Sequence, residues 1–254
     1  MNRRELLRAA GFAGLAWLPG AARSAQGQNL NDRLSGDIAP VHDPCIIKAH
    51  GLYHLFCTGQ QADPTGLIPW RTSPDLVHWT LRGRVFETIP AWAREAVPGT
   101  RGIWAPDIAF FNGQYHIYYS CSTFGSNRSV IGLVTNATLD PDSPQFEWRD
   151  RGLVVQSNRG DDFNAIDANH IIDREGGHWL SLGSFWSGLK LFKLDSATGK
   201  PPGGDVRKHS LAARPVPEDA PGAIEAPFLI ERAGYYYLFA SYDYCCKGVN
   251  SSYY

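Results

Sequence analysis

The sequence predicts an all-β fold, a β-propeller of which four repeats are visible inside these 254 residues, the fourth of them incomplete. Three observations point that way. Four short acid-bearing boxes recur at intervals of roughly 60 residues, a period expected of propeller blades: His42-Asp43-Pro44-Cys45-Ile46, Ala105-Pro106-Asp107-Ile108, Ile166-Asp167-Ala168-Asn169 and Ile224-Glu225-Ala226-Pro227. Each box opens an apolar, aromatic-rich hairpin, and no stretch shows the period of a long helix. Acids at one place in successive blades would converge on the central axis.

The first repeat starts at Asp43. Cys45-Ile46-Ile47-Lys48 reads as a strand, Ala49-His50-Gly51 as a turn and Tyr53–Cys57 as the return strand, with outer strands at Trp70–Ser73 and Val77–Trp79. The second has Asp107–Phe111, the hairpin signal Asn112-Gly113, Tyr115–Ser120, Val130–Val134 and Phe146-Glu147-Trp148. The third has Asn169–Ile172, a turn at Glu175-Gly176-Gly177, His178–Leu182 and Gly188–Leu194. The fourth has Pro227–Ile230, a turn at Ala233-Gly234 and Tyr235–Ala240, and Tyr254 falls inside its expected third strand. By the repeat logic a further unit is expected beyond that point. Pro90–Glu95 reads as one short helical turn, and segments 59–69 and 195–222 as loops.

Composition narrows the function classes. The net charge is −1 and there is no basic stripe, which argues against a nucleic-acid partner. Eight Trp and eleven Tyr serve core packing, with a share available to stack on sugar rings. Residues 1–25 read as an export signal: paired Arg3-Arg4, an apolar run from Ala9 to Leu18, and the small-x-small site Ala22-Arg23-Ser24-Ala25. The paired arginines resemble a twin-arginine signal, and an ordinary secretory signal has the same consequence, export to the periplasm or the medium. The apolar run is too short to span a membrane, and no other stretch is long enough. Residues 26–254 are then the propeller domain. Of five cysteines, Cys45 and Cys57 flank one hairpin, a placement that admits a disulfide or two small buried hydrophobes.

Converging carboxylates at a water-filled axis suit glycoside hydrolysis, in which one acid protonates the leaving oxygen and a second group activates water or attacks. Glu225, flanked by Ile224, Ala226, Pro227 and Phe228, fits the acid. Asp43, between His42 and Pro44 at a blade entrance, fits the base. Asp167 is the third member, and Asp107 reads as structural or as a supporting partner. Each acid alone means little, since an Asp before Pro is ordinarily a turn or a cap.

The chain resembles glycoside hydrolase family 43, and within it the endo-acting α-1,5-L-arabinanases. The resemblance rests on His42-Asp43-Pro44, Trp104-Ala105-Pro106-Asp107-Ile108, Ser122-Thr123-Phe124-Gly125-Ser126, Asn164-Ala165-Ile166-Asp167, Gly183-Ser184-Phe185-Trp186, Ile224-Glu225-Ala226-Pro227 and Cys245-Cys246-Lys247-Gly248. It implies a five-bladed β-propeller, with about four blades present in this chain, and an inverting mechanism with Asp43 as general base, Glu225 as general acid and Asp167 as the pKa-tuning, orienting acid. It further implies that Trp104, Phe124, Gly125, Asn164, Ala165, Ile166, Ser184, Phe185 and Trp186 line the sugar subsites. The implied substrate is arabinan, including the arabinan side chains of pectin, with no nucleic-acid or membrane partner. No cofactor is needed for the chemistry; the family's structural calcium at the propeller axis has no identifiable ligands in this sequence. Ala168 departs from the family, which commonly has Pro there. The same fold and acids suit an exo-acting α-L-arabinofuranosidase or β-xylosidase, and a carbohydrate-binding propeller with dead acids is the non-enzymatic alternative. A fructan-cleaving propeller would show Asp-Pro-Asn and Glu-Cys boxes, and neither is present.

Overall fold

The computed structural model describes residues 32–203, 207–215, 222–242 and 252–253. The expected export segment and the Cys245-Cys246-Lys247-Gly248 box lie outside the described residues. Four sheets follow one another along the chain, antiparallel throughout except that Ser35–Gly36 pairs in parallel with His78-Trp79 at the outer edge of the first. The first contains β1 (Ser35–Gly36), β2 (Cys45–Ala49), β3 (Leu52–Phe56), β5 (Leu67–Ser73) and β6 (His78–Phe86) in the order β1-β6-β5-β3-β2. Between them β4 (Gly59–Gln60) leaves that sheet to pair with β7 (Gly102–Phe111) of the second. The second sheet continues with β8 (Gln114–Cys121), β9 (Ser129–Asn136) and β10 (Arg149–Ser157). The third is β11 (Asn169–Ile172), β12 (His178–Leu182), β13 (Leu189–Leu194) and β14 (Lys208–Ala212). The fourth is β15 (Ile224–Arg232), β16 (Tyr235–Tyr242) and β17 (Ser252–Tyr253). One helix, α1 (Ala91–Ala96), forms where the sequence predicts a short turn. No helix among the described residues is long and apolar enough to cross a membrane.

Each sheet is an up-and-down meander whose first strand lies innermost. The first strands β2, β7, β11 and β15 neighbour one another in turn, and Cys45, Asp107, Asn169 and Phe228, one from each blade, line a single cavity of about 350 Å³. This is the propeller arrangement the repeat predicts. The alternation of side chains across a strand decides what fills the space between blades. Ile117 and Tyr119 of β8 and Val130 and Val134 of β9 face blade one and meet Phe56, Leu67 and Trp70. Their neighbours Tyr118, Ile131 and Leu133 face blade three and meet Leu180, Leu182 and Phe192. With both faces covered, β9 is buried along its whole length, which explains its run of small and apolar residues from Ser129 to Val134. Cys45, Cys57 and Cys121 are free thiols.

Three details of the predicted elements are corrected. The fourth strand of blade two begins at Arg149; Phe146 and Trp148 precede it and wedge against Trp70 and Phe56 at ring distances of 5.6 and 5.8 Å. The segment 195–222, read as a loop, contains β14, the outer strand of blade three. The segment 59–69 contains β4 and the start of β5.

The acids do not occupy one place in the repeat, as their spacing suggested. What repeats is a two-residue bulge at the inner end of each first strand. In blade two Trp104 faces Ser120 and Asp107 faces Tyr118, which pushes Ala105 and Pro106 out of register. In blade four Glu225 faces Ser241 and Phe228 faces Phe239, which does the same to Ala226 and Pro227. Blades one and three match: the Thr58 and Gly183 N–H groups reach the His42 and Ile166 carbonyls at 2.9 Å, and Asp43-Pro44 and Asp167-Ala168 stand out. The leading bulge residue is left-handed in all four, with φ of 50° at Asp43, 39° at Ala105, 59° at Asp167 and 53° at Ala226. A proline fits the next place because it has no N–H to leave unpaired. In this frame Asp43 and Asp167 are equivalent, Glu225 stands one residue earlier, and Asp107 two residues later.

Asp107 accordingly has a structural task. Its carboxyl accepts the His170 N–H at 2.7 Å and the Asn169 side-chain amide at 3.4 Å. At the next junction the Asn169 side-chain oxygen accepts the Leu229 N–H at 2.8 Å. First strands of successive blades are thus tied by the residue that follows each bulge. Burial pushes the Asp107 carboxyl up to about 7, only partly offset by those two donors. Asp107 binds its proton more tightly folded than unfolded, so this contribution to stability is full below pH 3.8 and declines as the pH rises to about 7. The span corresponds to roughly 4 kcal/mol. Burial also pushes the neighbouring His116 and His170 down to about 4 and about 3, and their contribution runs the opposite way, lost as the pH falls. Comparison with a variant that keeps both histidines isolates Asp107. Chemical denaturation of Asp107→Asn should show a stability that declines less than the parent's between pH 4 and pH 8. Parallel profiles would remove the buried-carboxyl account.

Candidate active site

Three of the boxes deliver their acids to one place. Asp167 is the centre of the group. Its N–H is held by the Ser120 hydroxyl at 3.1 Å, and its Oδ2 accepts the Ala226 N–H of the next blade's bulge at 3.3 Å. Its carboxyl is pushed well above the usual range, first by desolvation and then by the negative charges of Glu225 and Asp43; the Ala226 N–H and His42 oppose this. Part of its surface still meets solvent, yet the carboxyl itself is deep enough for desolvation to dominate. Carboxylates from blades one, three and four therefore lie within electrostatic reach of one another.

Asp43 and Glu225 meet opposite surroundings. The Asp43 side chain is 39% exposed, with the Thr58 hydroxyl donating to Oδ2 at 2.6 Å and His42 Nδ1 at 2.7 Å from the same oxygen. Among the described residues no hydrogen bond reaches its Oδ1. Glu225 is 8% exposed. Its Oε2 accepts the Ser184 hydroxyl at 2.8 Å, while Oε1 is out of solvent without a hydrogen-bond partner among the described residues. A buried, unpaired carboxyl oxygen is costly, and a guest that bonds to it recovers that cost. The pair thus consists of one carboxylate open to water and one enclosed carboxyl with an unused oxygen.

The expected sugar-contacting residues fall into two groups. Trp104 lies beside the strongly exposed Phe124, ring centroids 5.1 Å apart and tilted by 44°, with exposed Gly125 next to it; together they make an aromatic surface at the end of β7. Trp186 is also exposed, on a tight loop in which Phe185 and Trp186 are both left-handed between Gly183 and Gly188. By contrast Asn164, Ala165 and Ile166 are buried. Asn164 accepts the Ser129 hydroxyl at 2.6 Å and the Ala165 N–H donates to Ser157 at 2.8 Å. These three shape the chain that enters Asp167 and expose no side chain of their own.

Several supporting residues escape a sequence reading. The Phe185 N–H donates to the Ile224 carbonyl at 3.0 Å and the Ser187 N–H to the Asp162 carbonyl at 2.9 Å. The buried Lys190 ammonium closes the loop on the Ser187 carbonyl at 2.7 Å, and Asp162 pairs with Lys208. Thr58 and Ser120 are a second set, hydroxyls on equivalent strand ends that each hold the bulge N–H of the following blade. The one signal they leave is a hydroxyl residue where an apolar strand finishes. Among the described residues no group of three His, Cys, Asp or Glu side chains is placed to hold a metal ion. The axial calcium implied by the resemblance has no such ligand set among these residues.

Comparisons with known proteins bear on the family and the fold. The family model described as glycosyl hydrolases family 43 matches residues 38–254. The extracellular endo-α-(1→5)-L-arabinanase 1 of Bacillus subtilis is 43% identical over 214 residues, which is 84% of this chain and 62% of that protein. The chain thus spans somewhat less than two thirds of that relative. Among solved structures, an exo-1,5-α-L-arabinanase from a bovine ruminal metagenomic library superposes with a TM-score of 0.74 at 49% identity, over 84% of this chain and 68% of the other. A Cellvibrio cellulosa α-L-arabinanase complexed with arabinohexaose gives 0.75 at 41% identity, over 84% and 68%.

The crowding at Asp167 has a direct spectroscopic consequence. Carbon-13 NMR titration of aspartate-labelled protein should show a carboxyl with a midpoint well above the ordinary range that disappears in Asp167→Asn. If every elevated midpoint survives that substitution, the three acids do not interact as described.

Proposed function

The chain belongs to glycosyl hydrolases family 43, and from this we propose that it cleaves internal α-1,5-L-arabinofuranosidic bonds of arabinan with inversion at the anomeric carbon. The observation that supports this best is the contrast between exposed Asp43 and enclosed Glu225, with Asp167 feeling the charge of both. Asp43 takes a proton from water through the oxygen that Thr58 and His42 leave unused. The water oxygen attacks the anomeric carbon from the face opposite the leaving group. Glu225 gives its proton to the departing glycosidic oxygen as the carbon–oxygen bond breaks. One turnover leaves Asp43 protonated and Glu225 ionised, and exchange with solvent restores both. Asp167 orients the acid's strand through the Ala226 N–H and keeps negative charge beside it. An inverting pair needs room for water between its carboxyls, roughly 6.5–9.5 Å.

The aromatic surface of Trp104 and Phe124, with exposed Trp186, offers faces on which furanose rings stack. The relative's endo action and the arabinohexaose bound by a structural neighbour support an arabinan chain as substrate. Pectin side chains are its natural source. Export through the segment 1–25 accords with the extracellular relative. Two carboxyls and a water suffice for the reaction, without a metal in the chemical step.

Hydrolysis of debranched arabinan tests the proposal. A mixture of arabino-oligosaccharides is expected early in the reaction, and proton NMR should find the first-formed anomer inverted. Arabinose as the sole early product would move the assignment to exo action, and a retained anomer would end the inverting mechanism.

The division of labour predicts a second result. Glu225→Ala should lower kcat on arabinan by roughly 10²–10⁴-fold, the usual worth of a general acid, and spare activity on an arabinofuranoside whose leaving group needs no proton. Asp43→Ala should depress both substrates alike, because water still lacks its base. Equal losses on both substrates for Glu225→Ala would take the acid role from that residue.

A further inference from the structure

We propose that Thr58 is the positioning residue of the base: its hydroxyl turns the Asp43 carboxylate so that Oδ2 is occupied and Oδ1 is presented to the attacking water. The inference rests on the arabinan-cleaving reading for its kinetics, but its geometry stands apart from it.

Thr58 follows the end of β3 and lies against two groups. Its Oγ1 accepts the Ala105 N–H at 2.8 Å and is 2.6 Å from Asp43 Oδ2. A threonine hydroxyl has one proton. With the oxygen taken up by the Ala105 N–H, that proton has the carboxylate as its recipient. The 2.6 Å separation is the length of an O–H···O⁻ hydrogen bond, a charge-assisted contact roughly twice as strong as a neutral one. His42 Nδ1 stands 2.7 Å from the same oxygen. Both contacts fall on Oδ2, so the rotation of the carboxylate is set and Oδ1 keeps its lone pairs for a substrate water.

The equivalent residue in the next blade separates this role from general support. Ser120 ends its strand at the matching place and holds the Asp167 N–H at 3.1 Å. Its own blade has Ala105 where blade one has Asp43, so no carboxylate is there to receive a proton. Holding the neighbour's bulge is therefore the shared task of these hydroxyls, and aiming a carboxylate is an addition found at Thr58. Ala105 also adjoins Trp104, so a purely supporting Thr58 would act on sugar binding rather than on turnover.

Thr58→Val keeps the shape and removes the hydroxyl; Thr58→Ser restores it without the methyl. On arabinan, Thr58→Val is expected to lower kcat by roughly 10–100-fold, as misplacement of a reacting group does, with KM within about 2-fold of the parent and Thr58→Ser close to the parent in both. Thermal melting of both variants establishes that they fold. Crystal structures of the parent and of Thr58→Val supply a readout independent of activity: the Asp43 carboxylate should rotate away from its parental orientation in the variant. An unmoved carboxylate overturns the proposal whatever the rates. So does an active Thr58→Val with unchanged kcat, or one whose loss lies in KM alone. If the parent does not cleave arabinan but the carboxylate turns in Thr58→Val, the proposed function falls and the positioning role remains.

Discussion

The four described blades depend on one backbone device, the left-handed bulge at the inner end of the first strand. An L-residue with a side chain pays roughly 1–2 kcal/mol to stand there. That cost persists because the bulge N–H is satisfied from the preceding blade, by Thr58 at Ala105, by Ser120 at Asp167 and by the Asp167 carboxylate at Ala226. A second set of bonds, from Asp107 to His170 and from Asn169 to Leu229, ties the strands just beyond it. The bulge ends the regular pairing and turns the chain toward the axis, and the two sets of cross-blade bonds keep successive bulges in fixed relation. Bulged residues re-aim side chains, and here they aim carboxylates.

The frame is repetitive, but its occupants differ. The left-handed place holds an acid in blades one and three and an alanine in blades two and four. The place before it holds the acid in blade four alone. Since adjacent places project differently, Glu225 is sealed under Ser184 whereas Asp43 remains open to water. The contrast between the two carboxyls follows from a one-residue offset within an otherwise identical turn. Asp167 shares Asp43's place but is crowded by both partners, and its N–H and carboxylate serve as a link between blades two, three and four.

The sequence carries much of this openly. Hairpin turns such as Asn112-Gly113 and Ala233-Gly234, alternating aromatic strands and the recurring boxes announce blades, because turn chemistry and side-chain period are local properties. The exact frame of the boxes is hidden, since spacing near 60 residues cannot separate Asp43 from a neighbour one place away; only the pairing of Trp104 with Ser120 and of Glu225 with Ser241 does so. The outer strand Lys208–Ala212 has no β-branched or aromatic residue to betray it and exists because β13 offers a free edge. Phe146 and Trp148 have strand-like character but spend it on packing against Phe56 and Trp70. Thr58 is illegible for a different reason. A lone hydroxyl acquires meaning when a distant carboxylate and a backbone N–H arrive on either side of it.

The offset between Asp43 and Glu225 bears on how such a chain can be engineered. Repeat proteins are often idealised by averaging their units into one consensus motif and copying it around the ring. Applied to these four blades, averaging would keep the bulge, its proline and the hydroxyl that braces it, since those recur. It would also write a single residue into each place, either Asp at the left-handed position everywhere or Glu before it everywhere. Either version would hold carboxyls of one kind only, so the most regular form of this architecture is one in which no blade can serve as acid to another's base.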